Sequence, residues 1–128
     1  MIEKINNYLS KRRYLLLISI ILVTISTFGL TLLPIDTMVP NQLWDYDKAG
    51  HLAIFGGWTF LVGYYRFLSN PKSVNLFSIF AMGVLFGVVV EGLQYALPLN
   101  RAADLFDIAF DAIGCFIAVL VLYKITDQ

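Results

Sequence analysis

The chain is poor in charge and in the residues that usually carry metal or redox chemistry. A single cysteine, Cys115, excludes an intrachain disulfide and any multi-cysteine metal site. It lies in an apolar run and reads as a packing residue. A single histidine, His51, excludes a close-spaced zinc motif such as HExxH. Only 14% of the residues are charged, against about 25% in an ordinary soluble domain. The only basic cluster is Lys11-Arg12-Arg13, too little to bind a nucleic-acid backbone. There is no low-complexity tract and no polar linker long enough to separate two domains. No cofactor and no metal are expected from these counts, and residues 1–128 are read as one domain.

What is present is apolar. Hydrophobic residues make up 59% of the 128, and the mean hydropathy is +0.74. So small a body has too little interior to hide that much apolar surface from water. Membrane helices of about 20 residues solve the problem by facing lipid. Four of them, at about 14–33, 49–68, 74–97 and 105–123, use nearly the whole chain. The expected fold is therefore all-α, a polytopic four-helix transmembrane bundle. Ser19, Thr24, Ser26 and Thr27 interrupt the first segment, but hydroxyls can bond back to helical carbonyls. Pro34, Pro71 and Pro98 mark the breaks. The first segment has a basic flank like a signal peptide. It is longer than the usual apolar core of about 7–15 residues and lacks a small-x-small cleavage site, so it reads as a retained helix.

Lysine and arginine set the orientation. With the N-terminus inside, the inner pieces hold Lys4, Lys11, Arg12, Arg13, Arg66, Lys72 and Lys124, and the outer pieces only Lys48 and Arg101. Both termini are then cytoplasmic, and the outer loops are 34–48 and 98–104. The acids segregate the other way. Asp36, Asp45, Asp47, Glu91, Asp104, Asp107 and Asp111 fall in the outer loops or outer helix halves, and His51 joins them.

Three groups of polar residues stand out. Asp47 and Lys48 share a helix face with His51, four and three residues on; Asp47 also suits a helix N-terminus. Glu91 and Gln94 are three apart, and Glu91 sits about 9 Å inside its helix end. A charge at that depth costs about 2.5–3.5 kcal/mol on insertion scales, so Glu91 needs a partner among Arg101, Lys48, His51 and Gln94. Asp104, Asp107 and Asp111 form one stripe after Arg101, with Asp111 about 10 Å below Asp104. Asp104 also suits an N-cap. Segments two and four begin where segment three ends, so His51, Glu91, Arg101 and Asp107 are expected to meet in one outward-facing pocket. Gly83 and Gly87, spaced GxxxG, predict a close helix crossing.

These residues resemble the VanZ-like family of small bacterial integral membrane proteins. The resemblance rests on three ordered blocks: Asp47-Lys48-x-x-His51 with Phe55 after it; Glu91-x-x-Gln94; and Arg101, Asp107, a polar residue at 111 and Gly114. They span about half the chain. The family usually carries asparagine where this chain has Asp111. The resemblance implies a bacterial cytoplasmic-membrane protein, and the family's namesake is linked to resistance to the glycopeptide teicoplanin.

Several functions fit the pattern. One is an enzyme or binding protein acting at the outer leaflet on a lipid-linked or cell-envelope substrate. His51, Glu91 and Asp107 are then the catalytic candidates, with Asp47, Lys48, Gln94, Arg101, Asp104 and Asp111 as substrate-binding candidates. Lys48 and Arg101 suit a phosphate or carboxylate, and Glu91 or His51 a general base. A second is a carrier acting as an oligomer, although the inner helix halves lack acids for a continuous relay. A third is a non-catalytic scaffold whose polar cluster locks the helices. Metal binding is the weakest, resting on the mixed ligands His51, Glu91, Asp107 and Asp111. The lipid bilayer is the one partner common to all.

Overall fold

The computed structural model describes residues 2–32, 47–97 and 104–126. Among them are five α-helices: α1 (Ile2–Lys11), α2 (Arg13–Leu32), α3 (Asp47–Ser69), α4 (Leu76–Ala96) and α5 (Leu105–Thr126). A 3-10 turn, Pro71–Ser73, links α3 to α4. Three helices are long and apolar enough to cross a membrane: α2, α4 and α5, with mean hydropathies of 2.4, 2.2 and 2.3 over their best windows. This marks the chain as a membrane protein. The helix α3 is equally long at 23 residues, but Asp47, Lys48, His51 and Arg66 make it more polar.

The distribution of polarity is inverted relative to a soluble domain. Large apolar side chains such as Leu22, Ile25, Leu85, Phe116 and Leu120 face outward. Thr27, Thr31, His51, Thr59, Glu91, Gln94, Asp107 and Asp111 are buried. Hydrocarbon is a good solvent for the first set and a poor one for the second, so lipid around the bundle favours this arrangement. In α2, Ser19, Thr24 and Thr27 donate their hydroxyls to the carbonyls of Leu15, Ile20 and Val23 at 2.7–2.9 Å. That is the back-bonding the sequence led us to expect.

The helix α3 packs against all four other helices. Its buried stripe, His51, Phe55, Thr59, Gly63, recurs every four residues. It faces Asp107, Asp111, Gly114, Cys115, Ala118 and Leu122 of α5 and Ile79, Gly83, Gly87, Val90 and Glu91 of α4. The tightest crossing lies between α3 and α5. A Cβ on Gly56 would stand 2.9 Å from the carbonyl oxygen of Gly114, and one on Gly114 would run into the carbonyl of Leu52. The GxxxG pair of α4 meets side chains instead. Gly83 makes room for Thr59 and for Cys115, whose Sγ would lie 2.7 Å from an added Cβ, and Gly87 makes room for Asp111.

Boundaries shift slightly from the sequence expectation. The third segment begins at Leu76 because Asn75 caps it, its side chain accepting from the Ser78 N–H at 3.1 Å. The helix α1 was not expected. It is amphipathic, with Ile5 and Leu9 one turn apart. Its Asn6 accepts a 2.6 Å hydrogen bond from the Tyr64 hydroxyl, and its Leu9 joins the apolar cluster of Val62, Tyr64, Ile79 and Leu122.

Candidate functional site

The helices α3 and α5 begin at the same end of the bundle at which α4 ends, and that end collects the polar side chains. The first turn of α3 supplies Lys48 and His51, the last turns of α4 supply Glu91, and the start of α5 supplies Asp107 and Asp111, with Asp104 just ahead of it. The cluster grades inward. Lys48 and Asp104 stand at the rim, their side chains 43% and 42% exposed. His51, Glu91, Asp107 and Asp111 are buried beneath them.

Asp104 is the N-cap of α5, its Oδ1 accepting from the Phe106 N–H at 2.9 Å. Its Oδ2 accepts from Lys48 Nζ at 3.3 Å. The capping N–H of Phe106 is the main cause that holds the Asp104 carboxyl below the ordinary aspartate range; desolvation opposes it, and Lys48 adds to the lowering. Lys48 Nζ also lies 3.6 Å from Asp107 Oδ1, so one lysine tethers two acids of the α5 stripe.

His51 lies between Asp107 and Asp111. Its Nδ1 is 2.9 Å from Asp111 Oδ1 and its Nε2 3.9 Å from Asp107 Oδ2. The ring stacks on Phe55 one turn below, with centroids 5.8 Å apart. Phe55 in turn packs on Phe86 at 5.3 Å, and Trp58 on Phe86 at 4.7 Å. These rings form an apolar floor that keeps the polar groups at the end of the bundle. Among the described residues, Asp111 is thus nearer the histidine ring than Asp107.

Glu91 is 2% exposed. Among the described residues its hydrogen bond is to the backbone, Oε2 accepting from the N–H of Asp104 at 3.3 Å, while Arg101, one of the four partners expected, lies outside them. Its Oε1, and Oδ2 of Asp111, are buried with no hydrogen-bond partner among the described residues. Ligand atoms of His51, Glu91 and Asp107 all lie within 4.8 Å of one another, although they come from three helices.

Of the nine candidate residues, the structure brings Lys48, His51, Glu91, Asp104, Asp107 and Asp111 together. Gln94 turns away. Its Nε2 donates to the Thr31 carbonyl of α2 at 2.8 Å, making it a clamp between helices. Asp47 opens α3, but its side chain, like all of Arg101, lies outside the described residues. The residues that shape the site from below, Phe86 and Gly87, were not singled out for that purpose. No sequence signal pairs a residue on one helix with a residue about 30 positions away on another. Comparison with known proteins finds no matching family model, no matching curated protein and no matching solved structure.

Proposed function

We propose that this is a four-span membrane protein of the VanZ-like type, with a polar site at the outer face that binds or modifies a lipid-linked or cell-envelope substrate. The observation that carries the reading is the convergence of Lys48, His51, Glu91, Asp104, Asp107 and Asp111 at one end of an apolar bundle. A scaffold needs one or two buried polar clamps, and Gln94–Thr31 and Trp58–Thr24 already serve as clamps between helices. Four acids at one end of the bundle exceed that need and are costly to keep there.

In this reading α3 is the fourth span. Its polar first turn reaches the interface, and its neighbours cover the rest. The lysine and arginine bias puts both termini in the cytoplasm, and α1 lies at the inner surface as an amphipathic helix. Lys48, exposed at the rim, meets the charged head of a substrate. A groove lined by Leu52, Ala53, Gly56, Gly57 and Phe60 of α3 and by Gly114, Ile117, Ala118 and Val121 of α5 starts at the residue after His51 and is almost wholly apolar. It suits a hydrocarbon tail whose head lies at the cluster. His51, held by Asp111, supplies an imidazole for proton transfer, the role its position beside Glu91 and Asp107 best fits.

The test is lipid retention. The protein is extracted from native membranes into nanodiscs and its bound lipids are identified by mass spectrometry. A defined phospholipid or polyprenyl species, retained by the wild type and lost in Lys48→Gln, is the expected outcome. The same lipid profile in both proteins, matching the bulk membrane, would overturn the substrate reading and favour the scaffold.

A further inference from the structure

The described residues of the site hold more acids than bases. Among the described residues, Glu91, Asp104, Asp107 and Asp111 face only Lys48 and His51 as cationic or ionisable basic partners. Lys48 lies at the rim, 3.3 Å from Asp104 and 3.6 Å from Asp107. Glu91 Oε1 is buried without a hydrogen-bond donor among the described residues, in a side chain 2% exposed. A buried carboxylate oxygen with no donor costs free energy unless a proton or a cation meets it.

We infer that His51 Nε2, Glu91 and Asp107 form a three-ligand site for a divalent transition-metal cation, with Asp111 as the outer partner that orients His51. Three observations carry this. The first is convergence: one nitrogen and two carboxylates from three different helices bring ligand atoms within 4.8 Å of one another. Ligands around a tetrahedral ion at about 2.1 Å stand about 3.4 Å apart, so small side-chain rotations close the remaining gap. The second is the pairing of His51. When Nδ1–H donates to Asp111 Oδ1 at 2.9 Å, Nε2 carries the lone pair and lies on the Asp107 side. A carboxylate behind a ligating imidazole is the usual outer support of a histidine–metal bond. The third is the buried Glu91 oxygen without a donor, which a cation would satisfy.

The donor set selects the ion. One imidazole with two carboxylates suits Zn²⁺ or Mn²⁺. Three protein ligands leave a coordination position for water or for a substrate oxygen, as in catalytic rather than structural zinc sites. The ion would also let an anionic head group approach a cluster that its own carboxylates otherwise repel. The inference uses the same cluster as the proposed function and does not depend on the identity of the substrate; with the ion bound, His51 serves as a ligand and not as a proton carrier.

The experiment titrates the full-length protein, purified in detergent and stripped with a chelator, with ZnCl₂ and separately with MnCl₂. Calorimetry gives stoichiometry and affinity, and thermal melting gives an independent signal. One ion per chain, with a rise in melting temperature, is expected for the wild type. Glu91→Gln and Asp107→Asn should each weaken binding at least about tenfold, whereas Gln94→Leu should bind as the wild type does. If a neutral variant fails to melt cooperatively, Glu91→Asp or Asp107→Glu takes its place, keeping the charge but moving the oxygen, and the same loss is expected. Absence of stoichiometric binding of either ion by the wild type overturns the inference, as does undiminished binding in the Glu91 and Asp107 variants. Ion binding without any specifically retained lipid leaves the metal site standing and removes the substrate reading. Retained lipid without ion binding does the reverse.

Discussion

Gly114→Ala is the smallest change that should damage this protein, because one methyl group would enter a contact made of backbone on both sides. At Gly114 an added Cβ runs into the carbonyl oxygen of Leu52, with the Leu52 carbonyl carbon at 3.0 Å and the Gly56 nitrogen at 3.1 Å. None of these atoms can rotate aside, so α3 and α5 must separate. Overpacking a tight core costs about 1–3 kcal/mol, and a backbone-on-backbone contact belongs near the upper end. Alanine returns about 1 kcal/mol of helix propensity over glycine. The net loss is therefore about 2 kcal/mol, about a 30-fold shift in the folding equilibrium. Gly57 provides the control, being on α3, the other helix of this crossing, with nothing within 4 Å of an added Cβ. Gly57→Ala keeps only the propensity gain and should be as stable as the wild type or slightly more so. The assay is thermal stability of detergent-purified protein, followed by loss of the monodisperse chromatographic peak. If Gly114→Ala melts at or above Gly57→Ala, the close α3–α5 crossing is not as described.

Three further outcomes follow from other contacts. An added Cβ at Gly87 would lie 2.6 Å from Asp111 Oδ2, so Gly87→Leu should push Asp111 off His51, lowering the melting temperature and removing any stabilisation by Zn²⁺; unchanged melting and an unchanged ion response would count against the placement of Asp111. Gln94→Leu removes the 2.8 Å bond to the Thr31 carbonyl and should cost about 1–2 kcal/mol, read by the same melting assay; loss of ion or lipid binding without loss of stability would return Gln94 to the site. A Thr37→Cys variant lacking Cys115 should react with an impermeant maleimide on intact cells, and labelling only after permeabilisation would reverse the proposed orientation.

The helices were legible because hydropathy acts locally. A run of about 20 apolar residues next to a proline has few alternatives to a spanning helix, and 13–32, 76–96 and 105–126 follow from that alone. Local chemistry also announced the Asp104 cap and the hydroxyl back-bonds of Ser19, Thr24 and Thr27. The helix α1 was legible too, through the helical spacing of Ile2, Ile5 and Leu9, but its charged residues drew attention instead to topology. The end-on clustering of acids could be read as well, since helices that begin and end at one surface bring their termini to a common depth.

What depth cannot supply is rotation about each helix axis, and that only the packed bundle decided. Glu91 and Gln94 are three residues apart, and Gln94 was a candidate partner for Glu91. In the structure Glu91 turns toward Asp104 and α5, while Gln94 turns toward Thr31 on α2. Gly83 and Gly87 do lie at a close approach, against the side chains of Thr59, Cys115 and Asp111, but the backbone-to-backbone contact fell at Gly56 and Gly114, which share no local motif. Among the described residues, His51 took Asp111 as its nearest partner, although the resemblance was weakest at that position. Each of these outcomes depends on the contact surface between two helices, and no single helix contains the information. The sequence by itself determined how deep each polar residue lies; the tertiary structure decided which of them meet.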